Sequence, residues 1–179
     1  MIKMIATDVD GTLVADGSCD INPEYYSVLN TLLDMGIHIV AASGRQEDSL
    51  ITLFEPIKER LFFISNNGAS LASISERMYL TSIEPELLEE LLEDCRYLTD
   101  CEIIVTGVDA CFYQPGASGA FIHLLKDEYQ FDAKEIGDPA ELPPIVKVAI
   151  YQDPRLPHPA VSLIEKWKGR LNGVVSGKE

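Results

Sequence analysis

The beginning of the chain alternates short apolar runs with segments of helical spacing, and this alternation limits the possible folds more than any other feature. The apolar runs are residues 2–7, 37–42 and 61–65. Between the first two, Asn22 and Pro23 mark a helix start and Gly36 marks its end, and a second helix is predicted over residues 46–55. Short continuous apolar runs are typical of buried parallel strands, so the pattern predicts a doubly wound, Rossmann-like α/β sheet.

After about residue 82 the pattern changes to a mixture of helices and antiparallel strands. We predict helices over residues 85–98, 118–127 and 157–170, strands over 102–106, 110–114, 145–151 and 172–175, and a loop over 132–144. The first two of these strands are separated by a short polar segment and indicate a hairpin. The change in pattern predicts two domains, residues 1–82 and residues 83–179, of which the second is α+β.

Acidic residues outnumber basic residues by 29 to 14, which gives a formal net charge of −15. Such a surface repels nucleic-acid backbones and anionic lipids, so we expect no nucleic-acid partner and no membrane partner. No apolar stretch approaches the length of a membrane span, no signal peptide is visible, and the four cysteines lack zinc-like spacing. We therefore expect a cytoplasmic protein with free thiols.

Two carboxylates, Asp8 and Asp10, directly follow the first apolar run, in a segment that reads Asp-Val-Asp-Gly-Thr-Leu-Val. At the carboxyl end of a parallel strand they repel each other unless a cation neutralises them, and Mg²⁺ accepts carboxylates and phosphate oxygens as ligands. Asp8 can then attack phosphorus, Asp10 can protonate the leaving oxygen, and Gly11 allows a sharp turn that presents N–H groups to a phosphate. An Asx-turn that merely ends the strand is the alternative interpretation.

Ser43, Gly44 and Arg45 follow the second apolar run. The Ser43 hydroxyl and the Gly44 N–H can bind phosphate oxygens, and Arg45 adds a positive charge at the start of the next helix. One helix and one strand separate these residues from Asp8, so we expect Ser43 to lie beside Asp8 in the sheet.

The segment from Asp8 resembles the first signature motif of the haloacid dehalogenase (HAD) superfamily, and Ser43 resembles the second, which holds the transferring phosphoryl group. The Ser-Asn-Asn-Gly-Ala run at 65–69 is similar to one in the Cof-type branch of HAD phosphatases, where Asn67 would line the pocket floor. The resemblance implies a Mg²⁺-dependent phosphatase that acts on a small phosphorylated metabolite through an aspartyl-phosphate. Asp8 and the backbone carbonyl of Asp10 would bind the metal.

The same resemblance implies that residues 1–82 are part of a HAD core and that residues 83–179 are an inserted cap domain. HAD phosphatases also use a lysine and a Gly-Asp-x-x-Asn-Asp segment after the cap. That segment does not occur in the 179 residues, and Lys178 lies too early for the lysine role. We therefore expect an incomplete core and weak Mg²⁺ binding with little turnover by this chain alone. A fragment of a longer protein is the favoured explanation, and a natural short product is the alternative.

Several alternatives stay open. A phosphomutase shares these motifs, and a non-catalytic binding protein shares the fold, although retention of both aspartates argues against the latter. A receiver-like signalling domain would need an acceptor aspartate after the third strand, where none occurs. At individual positions, Ser43 fits a plain helix cap and Arg45 fits an ion pair with Glu47 or Asp48. Lys147 faces either solvent or the cleft.

Overall fold

The computed structural model describes residues 1–15, 20–128, 131–152 and 159–175. The chain divides into two compact units, Met1–Ser82 and Ile83–Glu179. None of the described helices is long and apolar enough to cross a membrane. The assignment of the two units as a catalytic core and a cap stays a prediction.

The first unit contains a five-stranded sheet with the strands in chain order. They are β1 (Met4–Asp8), β2 (His38–Ala42), β3 (Leu61–Ser65), β4 (Ser70–Ala72) and β5 (Arg77–Leu80). Strands β1 to β3 are parallel, and β4 and β5 continue the sheet antiparallel. Helix α1 (Pro23–Asp34) connects β1 to β2, and helix α2 (Glu47–Leu53) with a 3₁₀ helix (Glu55–Arg60) connects β2 to β3. Parallel strands joined by helices confirm the predicted α/β, Rossmann-like fold.

Helix α1 begins at the predicted cap. The Asn22 side chain accepts a hydrogen bond from the Glu24 backbone N–H at 3.0 Å, and Pro23 is the first helical residue. The helix buries Leu29 in a core that includes Phe63, which is 0% exposed. Burial of a side chain of this size contributes about 2 kcal/mol, so the core holds the strands in fixed positions.

Strand β1 is more exposed than the buried strand that the sequence predicts. Exposure alternates along it, and Met4 is 57% exposed. The reason is its place in the sheet, because β2 is its only neighbour among the described strands. The parallel register pairs Asp8 with Ala42, which brings the carboxyl ends of β1 and β2 together.

The second unit contains a four-stranded sheet and three α-helices among its described residues. The elements are α3 (Pro85–Cys95), β6 (Cys101–Gly107), β7 (Cys111–Tyr113), α4 (Gly119–His123), β8 (Ala133–Glu135), β9 (Ile145–Gln152) and α5 (Pro159–Trp167). The sheet order is β8-β7-β6-β9, and β6 and β7 form the predicted antiparallel hairpin. Ile103 and Val105 of β6 pack with α3 and α5, whereas Ile104 packs with α4. Side chains alternate along a strand, so the helices cover opposite faces of the sheet.

The second unit departs from the sequence prediction at several places. The predicted loop over 132–144 contains β8, which pairs parallel to β7, and a 3₁₀ turn (Pro139–Glu141). The α-helix predicted over 118–127 becomes a π-helical turn at Leu124–Glu128. Helix α5 ends at Trp167, residues 172–175 form no strand, and residues 157–158 lie outside the described part. Very short elements such as β8 depend on pairing with a neighbour, which local sequence patterns do not show.

Candidate active site

Asp8 is the last residue of β1, and its carboxylate is exposed. The Thr12 hydroxyl donates a long hydrogen bond to Asp8 Oδ2, at 3.5 Å. The chain turns sharply after it, since the backbone N–H groups of Leu13 and Val14 both donate to the Val9 carbonyl, at 2.8 and 3.1 Å. Gly11 lies inside this turn with a φ of 75°, a conformation that favours glycine. The turn therefore leaves the Asp8 carboxylate open at the end of the strand.

Asp10 is held much more tightly than Asp8. Arg45 donates to its carboxylate from Nη2 at 2.6 Å and from Nε at 3.1 Å, and the Ser43 hydroxyl donates to Oδ2 at 3.0 Å. The hydrogen bond from Arg45 is the main reason that the pKa of Asp10 lies below its ordinary value, with Ser43 adding to the effect and partial burial opposing it. Asp10 is therefore an ionised, oriented carboxylate in this structure.

The turn after β2 is fixed by hydrogen bonds to β3 and to itself. The Ser43 backbone N–H donates to the Ile64 carbonyl at 2.9 Å, and the Ser43 hydroxyl accepts from the Arg45 backbone N–H at 3.0 Å. The Ser43 hydroxyl therefore accepts a hydrogen bond from Arg45 and donates one to Asp10. This supports the predicted position of Ser43 beside the first strand, but its hydroxyl contacts Asp10, and the phosphate-binding role stays a prediction.

A 3₁₀ turn at Asn66–Gly68 packs against the turn after β2. The backbone N–H of Asn66 donates to the Arg45 carbonyl at 2.8 Å, and that of Asn67 donates to the Ser43 carbonyl at 3.2 Å. Asn66 and Asn67 have φ values of 50° and 58°, which asparagine tolerates better than most residues. A Cβ atom at Gly44 would lie 2.3 Å from Asn67 Oδ1. The absence of a side chain at Gly44 therefore permits the present position of the Asn67 side-chain amide.

Glu47, in the first turn of α2, supports the same region from behind. Its buried carboxylate accepts a hydrogen bond from the Ser70 hydroxyl at 2.8 Å and from Arg77 Nη2 at 3.1 Å. These contacts tie α2 to β4 and β5. Sequence reasoning missed Ser70 and Arg77, because both lie in strands that it did not predict.

The structure brings the seven predicted site residues into the first unit at the carboxyl ends of β1, β2 and β3. They are Asp8, Asp10, Gly11, Ser43, Gly44, Arg45 and Asn67. The alternative prediction that Arg45 pairs with Glu47 is wrong. Glu47 pairs with Arg77, and Arg45 pairs with Asp10. The catalytic and ligand-binding roles of the seven residues stay predictions.

Asp8 and Asp10 offer oxygen atoms that fit a hard cation such as Mg²⁺. The exposed Asp8 carboxylate can coordinate directly, while Arg45 and Ser43 occupy the Asp10 side chain and leave its backbone carbonyl to contribute. The described residues contain no group of three or more His, Cys, Asp or Glu side chains placed to hold a metal. Mg²⁺ needs only one or two carboxylates when waters and phosphate oxygens complete its shell, so these residues fit part of such a site.

Similar proteins include phosphatases and HAD-like hydrolases. The 5-amino-6-(5-phospho-D-ribitylamino)uracil phosphatase YbjI of Escherichia coli is 26% identical over 111 residues, which are 62% of this chain and 41% of YbjI. A crystal structure of a Eubacterium rectale protein matches with a TM-score of 0.87 and 35% identity, over 99% of this chain and 68% of that one. A HAD-like hydrolase from Bacteroides thetaiotaomicron shares the fold, with a TM-score of 0.73 and 22% identity over 95% of this chain and 64% of that one. This chain thus spans less than half the length of YbjI.

The family model for haloacid dehalogenase-like hydrolases matches residues 5–162, most of the chain. The match includes both carboxylates of the first turn and the whole turn after β2. The resemblance that the sequence motifs indicated is therefore confirmed, and the chain belongs to the haloacid dehalogenase-like hydrolase family.

Proposed function

We propose that Asp8 is the nucleophile of a Mg²⁺-dependent phosphatase that hydrolyses a small phosphorylated metabolite through an aspartyl-phosphate. The contrast between Asp8 and Asp10 carries the proposal. The Asp8 carboxylate is exposed, with one long hydrogen bond from Thr12 at 3.5 Å, whereas Asp10 is fixed by Arg45 and Ser43. An exposed carboxylate is free to attack phosphorus, and a fixed one beside it suits proton transfer at a defined position.

Two steps follow from this arrangement. In the first, a bound phosphoryl group takes the Arg45 and Ser43 donors from Asp10, which then takes up a proton. An Asp8 oxygen bonds to phosphorus, the bond from phosphorus to the leaving oxygen breaks, and the protonated Asp10 gives that oxygen its proton. In the second, water attacks phosphorus, the bond to Asp8 breaks, and ionised Asp10 takes a proton from the water. The lowered pKa of Asp10 favours the ionised state that the second step needs. A bound Mg²⁺ would reduce the repulsion between the Asp8 carboxylate and the phosphate.

Ser43 and Arg45 would hold the phosphoryl oxygens while Asp8 reacts. Both already donate to a carboxylate, that of Asp10, so their donor groups face an anion at this edge of the sheet. A phosphoryl group offers more acceptor oxygens and more negative charge than a carboxylate, so it would compete for the same donors. Gly11 and Asn67 would shape the floor of the site through their backbone turns.

The substrate is proposed only as a class. The name of YbjI gives that relative 5-amino-6-(5-phospho-D-ribitylamino)uracil as its substrate, and this chain matches part of the length of YbjI. Release of inorganic phosphate supports the phosphatase, whereas release of an isomeric sugar phosphate supports a phosphomutase. A cytoplasmic location is also proposed, because Cys95 and Cys101 are not joined in a disulfide.

Fluorine NMR with Mg²⁺ and beryllium fluoride tests the role of Asp8 without requiring turnover. Beryllium fluoride mimics a phosphoryl group on a carboxylate, so the unaltered chain should show bound fluoride signals that depend on Mg²⁺. Asp8→Asn should abolish these signals. Asp48→Asn, the same substitution at an exposed position of α2, should leave them unchanged. Bound signals that persist in Asp8→Asn would refute the assignment of the nucleophile.

A further inference from the structure

Lys147 and Thr106 lie side by side on the sheet of the second unit. They are directly paired residues of the antiparallel strands β9 and β6. Cross-strand partners point to the same face, so the Lys147 and Thr106 side chains share the face on which Ile104 packs with α4. Val146 is an extra residue in β9 at this point, because Thr106 pairs with Lys147 and Gly107 pairs with Ile145. Such bulges change the direction of neighbouring side chains and are frequent next to functional sites.

Lys147 differs from the other basic side chains described in the second unit. Each of the others has an acidic or aromatic partner: Arg96 with Glu93, His123 with Asp127, Lys126 with Tyr113, Lys134 with Asp132, Lys166 with Asp94, Lys168 with Glu165 and Arg170 with Glu90. Lys147 forms no ion pair or hydrogen bond with any residue that the structure describes. In a chain with 29 acidic residues, a lysine without a carboxylate partner is unexpected.

Thr106 adds a second polar group without a partner. It is 4% exposed, and its hydroxyl forms no hydrogen bond with the described residues. The hydroxyl oxygen is nevertheless not fully enclosed by the protein. A buried hydroxyl normally finds an acceptor, because leaving it unpaired is unfavourable. The hydroxyl oxygen therefore keeps a small exposure to solvent.

The surroundings of the pair are apolar. On its other side, Thr106 pairs with Cys111 of β7, which in turn pairs with Ala133 of β8. Cys111 is 3% exposed and Ala133 is 1% exposed. Lys147 is partly buried at the open edge of this row, and removal from water lowers the pKa of its ammonium group. A partly buried ammonium group without a partner loses some hydration and gains no ion pair in return, so it would bind an anion favourably.

We propose that Lys147 and Thr106 form an oxyanion-binding site that takes a carboxylate or phosphate group of a small metabolite. The ammonium group supplies the charge and a donor, and the threonine hydroxyl supplies a second donor beside it. The site is built entirely from the second unit, so it does not depend on Asp8 chemistry. The alternative is a lysine that only covers apolar surface with its stem and extends its head into water.

Titration of the ¹⁵N-labelled chain with inorganic phosphate and, separately, with acetate tests the proposal. Saturable shifts of the amide signals of residues 106 and 147 are expected, and the stronger ligand tells whether the site prefers phosphate or carboxylate. Lys147→Met keeps the apolar stem and removes the charge, so it should weaken binding at this position at least tenfold. Lys134→Met, the same change at an exposed lysine of the same unit, should leave it unchanged.

Thr106→Val removes only the hydroxyl and should weaken binding severalfold, which keeps the test decisive if Lys147→Met does not fold. Absence of saturable shifts at residues 106 and 147, or equal affinity in the unaltered chain and Thr106→Val, overturns the proposal. Shifts confined to the region of Asp8 and Ser43 would also overturn it and leave the phosphatase proposal intact. Binding at Lys147 in an Asp8→Asn chain that has lost its beryllium fluoride signals would support it independently.

Discussion

Polar side chains at the turn after β2 are hydrogen-bonded to one another, whereas two polar side chains on the sheet of the second unit have no partner among the described residues. In the first unit, Asp10, Ser43 and Arg45 satisfy one another through hydrogen bonds of 2.6 to 3.1 Å. In the second unit, Lys147 and Thr106 lie beside each other without partners among the described residues. Satisfied networks stabilise a fold and orient groups in advance, whereas unsatisfied groups cost stability until a ligand binds. Substitutions in the first network should therefore reduce stability, and substitutions in the second pair should reduce binding.

The largest loss of stability is expected when the support behind the first network is removed. Glu47→Ala takes the acceptor from the buried Ser70 hydroxyl and the partner from Arg77, so the first unit should lose about 3 kcal/mol of unfolding free energy. Hydrogen exchange of the β2 and β3 amides measures this, because the single tryptophan, Trp167, reports on the second unit.

Glu55→Ala is the matched control for Glu47→Ala. Glu55 pairs with Lys58 one turn away, and its side chain is 63% exposed. Surface pairs of this kind contribute less than about 1 kcal/mol, so exchange rates should change little. Equal effects of the two substitutions would show that the Glu47 contacts do not support the site.

A smaller loss is expected from Gly44→Ala. The added Cβ would collide with Asn67 Oδ1, so the Asn67 side-chain amide must move out of its present rotamer, at a cost of about 1.5 kcal/mol. Adding Asn67→Gly removes the obstructing oxygen, and glycine readily adopts the φ of 58° at that position. The double variant should recover most of the loss by the same exchange measurement. A double variant as unstable as Gly44→Ala would contradict the steric explanation.

The second unit also contains a carboxylate, Asp94, whose hydrogen bonds are satisfied. Asp94 accepts hydrogen bonds from Lys166 at 2.7 Å and from Trp167 Nε1 at 2.9 Å, so α3 and α5 are tied together. Asp94→Asn should lower the unfolding free energy at neutral pH by about 1 kcal/mol, measured by tryptophan fluorescence in urea.

The same contact predicts a pH dependence with a definite sign. The hydrogen bond from Lys166, then that from Trp167, holds the pKa of Asp94 below its ordinary value of 3.8. A lowered pKa in the folded state stabilises the fold above the ordinary value, and the stabilisation is lost as the pH falls through the folded value. The difference between the unaltered chain and Asp94→Asn should therefore disappear at strongly acidic pH. A difference that persists there would refute the ionic explanation.

The smallest change of stability is expected from Lys147→Met. Its ammonium group has no partner to lose, so the unfolding free energy should change by less than about 0.5 kcal/mol or rise slightly. Tryptophan fluorescence in urea measures this directly. A loss as large as that of Asp94→Asn would mean that Lys147 is part of the structural framework, and the contrast between the two regions would fail.

The parts of the fold that sequence reasoning predicted are those with long local signals. Strands β1 to β3 are continuous apolar runs, and α1 has both a cap at Asn22 and a stop at Gly36. Strands β4, β5 and β8 have three or four residues each and depend on partners distant in sequence. The predicted strand at 172–175 has the right composition, but no described strand pairs with it.

The site shows the same limit at the level of side chains. The adjacency of Ser43 to the first strand follows from chain connectivity, and the register of Asp8 with Ala42 agrees with it. The pair of Arg45 with Asp10 joins residues 35 apart, and local patterns gave no reason to prefer it over the nearer Glu47. Side-chain direction depends on packing of the whole unit, so residue types were predictable and their partners were not.

Mass spectrometry after incubation with acetyl phosphate and Mg²⁺ tests most directly the central claim that Asp8 carries the chemistry. Acetyl phosphate is a reactive phosphoryl donor, so a slow chain can still accumulate the intermediate. We predict one phosphoryl group on the peptide that contains Asp8, removed by hydroxylamine and absent in Asp8→Asn. A phosphoryl group located on Asp10 or Ser43, or an unchanged yield in Asp8→Asn, would contradict it.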